Sequence, residues 1–249
     1  MSDDRYAKFD YSRLINWEQR LENEWPFLDE ILRTAPSRRI LDLGSGTGEH
    51  ARFLASKGFD VVGVDLSPAM IEKSRSSTSG GSVQFVSGDM RDVASVVDGQ
   101  FGGAICLGNA LPHLTEPDDL SRLTASLRRV LQPGGVFVTQ ILNYDRFERK
   151  NERALPISFL PDGIIFLRFM DLQADGRVVF MPTILRQQSD ADPPIELVAS
   201  QRVEIRGWRR HQLEDVLFAA GFTKVDVWGS YTKQPFDPSE SRDVIAVAR

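Results

Sequence analysis

The chain has 249 residues and a mass of 28.0 kDa, enough for one large α/β domain or two small ones. Hydrophobic residues make up 41% and charged residues 26%, an ordinary globular balance that excludes a disordered or fibrous chain. Thirty basic against thirty-five acidic residues leave a net charge of −5, the wrong sign for a tight duplex nucleic-acid binder, and the single cysteine excludes an intramolecular disulfide.

Three scattered histidines and Cys106 form no local zinc motif, so no metal is expected. No apolar run approaches the roughly 18 residues of a membrane span. The first twenty residues lack the apolar core of a signal peptide. These features point to a soluble, cytoplasmic protein with neither nucleic acid nor membrane as partner.

In chain order, the first half alternates apolar runs with helical stretches, the pattern of a parallel sheet wrapped by helices. Arg39–Leu43 reads as a buried strand, Gly46–Gly58 as a turn and helix, and Asp60–Asp65 as the next strand. Ser67-Pro68 opens a helix, with serine as N-cap and proline at the first position. Val83–Ser87 and Phe101–Leu107 are strands three and four. Pro117–Leu131 is a helix closed by Pro133-Gly134-Gly135, and Val136–Leu142 is strand five.

After Asp145 the rhythm changes to strands without helices. Ile164–Leu172 and Arg177–Leu185 flank Asp175-Gly176, a hairpin signal, and Pro182 marks the second strand as an edge or a bulge. Leu197–Arg206 alternates as a half-exposed strand. Trp208–Ala220 is a helix ended by Gly221, and strands Lys224–Trp228 and Asp243–Ala248 close the chain. The expectation is a single α/β domain over 1–249, a doubly wound, mostly parallel sheet of seven strands. Residues 146–206 would form an inserted antiparallel subdomain, a lid or a dimer contact.

The chemistry concentrates at strand tips. Leu41-Asp42-Leu43-Gly44-Ser45-Gly46-Thr47-Gly48 places a glycine turn after the first strand, where backbone can approach a ligand closely. A dinucleotide fingerprint needs its third glycine one place later, where this chain has Glu49. Asp42 and Glu49 repel a pyrophosphate and attract an ammonium or sulfonium. Asp65, at the tip of the second strand, suits a ribose diol, and Gly88-Asp89-Met90 after the third suits an adenine edge. Each is an ordinary turn signal alone; in succession they describe an adenosine site. Cys106 reads as a buried apolar residue, and His50 and His211 as solvated helix positions.

With these residues the chain resembles the class I S-adenosylmethionine-dependent methyltransferases. Within them it is similar to the glycine and glycine/sarcosine N-methyltransferases and to sugar N-methyltransferases. The nearer resemblance rests on Ala104-Ile105-Cys106-Leu107-Gly108-Asn109-Ala110-Leu111-Pro112-His113-Leu114, on Asn143-Tyr144-Asp145, and on Leu14-Ile15-Asn16-Trp17-Glu18-Gln19-Arg20. It implies S-adenosyl-L-methionine as cofactor, with Gly44 and Gly46 beside its methionine part, Asp65 on the ribose, and Leu66 and Met70 lining the adenine pocket. Asp89 and Met90 would meet the adenine edge, the Leu107 carbonyl the ammonium, Arg20 the carboxylate, and Tyr11 would help cover the ligand. Asn109, His113 and Tyr144 would face the acceptor as the catalytic group. Glycine-methylating relatives carry an arginine where this chain has Leu142, which argues for an acceptor larger or less acidic than glycine.

The expected activity is methyl transfer to a small-molecule acceptor, N-directed rather than O-directed, with a homodimer through the inserted sheet as a possible assembly. A nucleotide-dependent oxidoreductase and a non-catalytic S-adenosylmethionine-binding protein remain the alternatives.

Overall fold

Strands whose residues are apolar on both faces need helices on both sides, and this chain supplies them in alternation. The computed structural model describes residues 11–78 and 80–249. Two helices, α1 (Tyr11–Leu14) and α2 (Trp17–Leu32), precede β1 (Arg39–Leu43), α3 (Glu49–Ser56), β2 (Asp60–Asp65), α4 (Pro68–Ser76) and β3 (Val83–Ser87). Then come β4 (Phe101–Cys106), α5 (Asp119–Val130), β5 (Leu131–Leu142) and α6 (Tyr144–Arg149). A block of strands follows, β6 (Ser158–Phe159), β7 (Ile164–Leu172), β8 (Arg177–Gln187), β9 (Ile195–Ser200) and β10 (Val203–Arg206). The last elements are α7 (Arg210–Ala219), β11 (Val225–Trp228) and β12 (Asp243–Ala248).

The main sheet runs β11-β12-β5-β4-β1-β2-β3, parallel except for β12, which is antiparallel to both neighbours. One core packs the sheet against α5 and α7 through residues such as Leu43, Leu123 and Leu217, and the other packs it against α2 and α3 through Phe27, Ile31 and Leu54. All six residues of β4, at the centre, are buried. Helix α4 starts as its sequence requires, with Ser67 accepting a hydrogen bond from the Met70 amide at 3.2 Å.

Several boundaries differ from the sequence expectation, most by one or two residues, and three have structural reasons. Strand β5 begins at Leu131, and residues 132–135 bulge from it, because pairing with β4 jumps from Phe101–Leu131 to Gly103–Val136. The expected strand Leu197–Arg206 is two strands. Both lie along the same side of β8, β9 beside Thr183–Gln187 and β10 beside Arg177–Phe180, with Gln201 and Arg202 between them. Pro182 faces that break and lacks the N–H a continuous ladder would use, so β8 is interior and its partner is what is interrupted. The third is β4, which stops at Cys106 and leaves Leu107 in the turn.

The second sheet packs Met170, Val178, Val203 and Ile205 against Tyr144 and Phe147. The chain leaves the main fold at Tyr144 and returns at Gly207, and these ends touch: a Cβ on Gly207 would lie 3.0 Å from the Tyr144 ring. The other face of this sheet is apolar and open, with Phe159 73% and Leu197 61% exposed.

Candidate active site

The carboxyl ends of the parallel strands open on one cleft of about 980 Å³ that runs from α2 and the glycine turn to the second sheet. Gly44 and Gly46 have φ of 68° and 55°, in the left-handed region. A Cβ on Gly44 would strike Ala110 at 2.8 Å, whereas one on Gly46 would meet nothing within 4 Å, so Gly46 presents bare backbone to the cleft.

Asp65 holds this turn as well as lining the cleft. Its Oδ2 accepts from the Gly46 amide at 2.8 Å and its Oδ1 from the Ser67 amide at 2.9 Å. Asp65→Ala should therefore weaken adenosine-ligand binding by at least about tenfold and also loosen the turn, while Asp65→Asn, which keeps one acceptor oxygen, should lose less. Calorimetric titration of the two variants checks that ranking; equal affinities of both variants and the parent chain would reduce Asp65 to a turn residue.

Asp89 and Met90 line the next tip, but Asp89 is committed to Arg91, which donates to both its oxygens and also reaches Asp119 at 3.0 Å. Burial alone would raise the Asp89 carboxyl; the Arg91 guanidinium holds it below the ordinary carboxylate range. Met70 is buried below the same stretch and Leu66 stands 66% exposed at its lip. Leu107 and Gly108 line the centre, where Gln140 Oε1 accepts from the amides of Gly108 and Asn109 at 2.9 and 3.2 Å.

Arg20 sits on α2 at the glycine-turn end. Its Nε donates to Glu24 at 2.8 Å, and its guanidinium lies 5.0 Å over the Trp17 ring. Glu24, only 4% exposed, also meets His50 Nε2 at 2.7 Å, and His50 stands edge-on to Trp17 at 5.5 Å. His50 is thus a buried, paired residue and not the solvated one expected, because α2 covers the face of α3 that carries it. Sequence reasoning missed Glu24, Gln140, Tyr231 and Asp243 on this wall. A buried glutamine in an apolar strand was the one visible signal.

At the acceptor end, His113 is exposed on the cleft wall and Asn109 lies beside it. The Asn109 side chain turns inward. Its Oδ1 accepts from the Leu142 amide at 2.9 Å, and its Nδ2 lies 3.0 Å from the Tyr144 hydroxyl. These contacts hold Asn109 at φ 63°, an uncommon conformation for a residue other than glycine. Tyr144 itself is 1% exposed and absent from the cleft wall, so the expectation that it borders an acceptor is corrected: its ring belongs to the second core, and only its hydroxyl reaches out, to Asn109. The side chain of Tyr11 lies outside the described residues.

The wall fits an adenosine with a charged amino-acid end. Three of its residues, Trp17, Ser45 and Tyr231, carry buried polar atoms with no hydrogen-bond partner among the described residues, grouped with Arg20 at the glycine-turn end. No cluster of three or more metal-ligating side chains occurs among the described residues, and no described helix is long and apolar enough to cross a membrane.

Residues 40–135 match the methyltransferase-domain family. The glycine/sarcosine N-methyltransferase of Parasynechococcus marenigrum (strain WH8102) is 35% identical over 138 residues, 55% of this chain and 49% of that protein. The glycine/sarcosine N-methyltransferase of Aphanothece halophytica is 33% identical over 137 residues, 54% of this chain and 52% of that protein. The chain spans about half the length of these curated relatives. Among solved structures, an S-adenosylmethionine-bound amino pentose methyltransferase from Micromonospora echinaspora, involved in calicheamicin biosynthesis, shares the fold. It has a TM-score of 0.72 at 22% identity, covering 98% of this chain and 96% of that one. The matched segment likens this chain to the methyltransferases, and the fold is shared with sugar and amino pentose methyltransferase structures.

Proposed function

We propose that the chain transfers a methyl group from S-adenosylmethionine to a nitrogen of a small-molecule acceptor. The observation that carries this reading is the single cleft, which joins the glycine turn and Asp65 at one end to His113, Leu142 and the second sheet at the other. The cofactor supplies an electrophilic methyl on a sulfonium. Asp65 holds the ribose side, Leu66, Met70, Asp89 and Met90 the adenine side, and Arg20 and the Leu107 carbonyl the amino-acid end. Alignment of two reactants along one enclosed wall is the main contribution such a fold makes to an in-line displacement. A neutral amine needs little base assistance, which suits a wall where His113 is the sole imidazole at the acceptor end among the described residues.

Leu142, Leu155 and Phe180 make the acceptor end largely apolar. A carboxylate buried against them is costly unless Arg168 of β7, which lines the same wall and donates through Nη2 to the Pro156 carbonyl at 3.2 Å, turns to meet it. Glycine and sarcosine are expected to be poor acceptors while Arg168 keeps its bonds to Pro156 and Ser158, and turnover of either would point to Arg168 as the carboxylate partner. The second sheet covers the acceptor, and its open apolar face is the surface on which a second copy would sit.

Calorimetry with S-adenosylhomocysteine and NAD, followed by a screen of amines, amino sugars, phenols and carboxylates with methyl-labelled cofactor, tests the proposal. The expected result is binding of the first ligand alone and transfer to an amine. Tight NAD binding, or brisk turnover of glycine, would overturn the corresponding half.

A further inference from the structure

We propose that the amino-acid end of the cofactor is read by a charged box completed by the C-terminal hairpin, with Arg20 and the Tyr231 hydroxyl taking the carboxylate and Asp243 the ammonium. This rests on the methyl-transfer reading above.

The loop between β11 and β12 is fastened to the helix that carries Arg20. Lys233 pairs with Glu30 of α2, and the Tyr231 ring stands edge-on to Phe27 at 5.6 Å and 84°. Within the loop, the Gly229 amide donates to the Gln234 carbonyl at 2.8 Å, closing it on itself. This brings Tyr231 and Asp243 onto the same stretch of cleft wall as Arg20.

Each group has unspent capacity there. The Tyr231 hydroxyl is buried and meets no partner at ordinary hydrogen-bond geometry among the described residues; the Glu24 carboxylate lies close enough to interact with it but is already held by Arg20 and His50. Burial also pushes its pKa well above the ordinary phenol value, so it remains a hydrogen-bond donor. Arg20 uses Nε on Glu24, and its Nη2 is the atom nearest to where a Cβ on Gly108 would lie, at 3.4 Å. Asp243 Oδ1 accepts from Gln140 Nε2 at 2.6 Å, and that same glutamine fixes the Gly108 and Asn109 amides.

Arg20 and Asp243 have opposite charges on one wall, yet no ion pair within 4.0 Å joins them among the described residues. A cation and an anion held apart by their own partners, with a neutral donor nearby, match a zwitterion and not a single charge.

The test compares two ligands on the whole protein by calorimetry. S-adenosylhomocysteine carries the amino-acid end; 5′-methylthioadenosine keeps the adenosine and the sulfur but lacks that end. Tyr231→Phe, which retains the ring contact with Phe27, and Asp243→Asn, which retains an acceptor for Gln140, are each expected to weaken S-adenosylhomocysteine by about tenfold. Methylthioadenosine should stay within about twofold, with thermal melting confirming both variants folded. Equal losses for both ligands, or none for either, overturn the box. So does a parent chain that binds methylthioadenosine as tightly as S-adenosylhomocysteine, although the methyl-transfer reading survives that result. A parent chain that binds neither ligand overturns both.

Discussion

Glu24→Ala is expected to destabilise the fold by about 3–5 kcal/mol, the usual cost of removing one member of a buried charge cluster. Both Glu24 oxygens are engaged, one by Arg20 and one by His50, and the residue is 4% exposed, so the variant strands a guanidinium and an imidazole under α2. Burial alone would raise the Glu24 pKa; His50 and Arg20 more than reverse this and hold it below the ordinary value. A carboxyl whose folded pKa is depressed contributes stability above its unfolded pKa of 4.5 and loses it as pH falls through the folded value. Denaturant unfolding should thus show the gap between parent and variant wide at neutral pH and narrowing below about pH 4.5. A gap under about 1 kcal/mol at pH 7 would show that the cluster is replaceable by solvent.

Asp42→Asn should act in the opposite direction. Asp42 is 2% exposed on β1, and its Oδ2 has no hydrogen-bond partner among the described residues. Burial, with Asp65 and Glu49 nearby, lifts its pKa from 3.8 to about 6 despite the opposing pull of His50. For a carboxyl raised in the folded state, the favourable protonated form is fully present below the unfolded pKa and is lost as pH rises through about 6. The difference between the two values corresponds to about 3 kcal/mol. The asparagine variant carries no charge to bury, so its advantage should grow between about pH 4 and 6 and level off above. Paired unfolding curves at several pH values check this; a difference that does not change with pH would place the ionisation elsewhere. A buried, under-satisfied carboxylate behind the glycine turn is a stability cost, and on the proposed reading the chain retains it beside the sulfonium ligand.

Much of this architecture was legible in the residues. The strands β1 to β4 are short apolar runs between glycine and proline punctuation, and their tips carry the turn and the two aspartates in order. Asp175-Gly176 placed the β7–β8 hairpin correctly, with Gly176 at φ 83°. What stayed hidden depends on partners distant in sequence. Nothing local to Leu197–Arg206 reveals that Pro182, about twenty places earlier, splits it in two. His50 reads as a solvated helix position until α2 is laid across it, and Pro26 inside α2 disguises that helix. Asn109 and Tyr144 each read from the sequence as acceptor-facing residues. Their hydrogen bond to each other, and hence the inward turn of the asparagine, follows only from 35 residues of chain returning to the same place.

The meeting of Tyr144 with Gly207 bears on how such a chain can diversify. Entry to and exit from the second sheet lie side by side, so the intervening 60-odd residues leave and rejoin the framework at one place, with Leu14 against Phe166 and Arg206 on the Thr115 carbonyl as further ties. Replacing that block with a sheet of different lining would leave the seven strands and their ligand-facing tips in register. On the proposed methyl-transfer reading, acceptor preference and donor binding would then be separately heritable. Grafting the block between chains of this fold would test that separation.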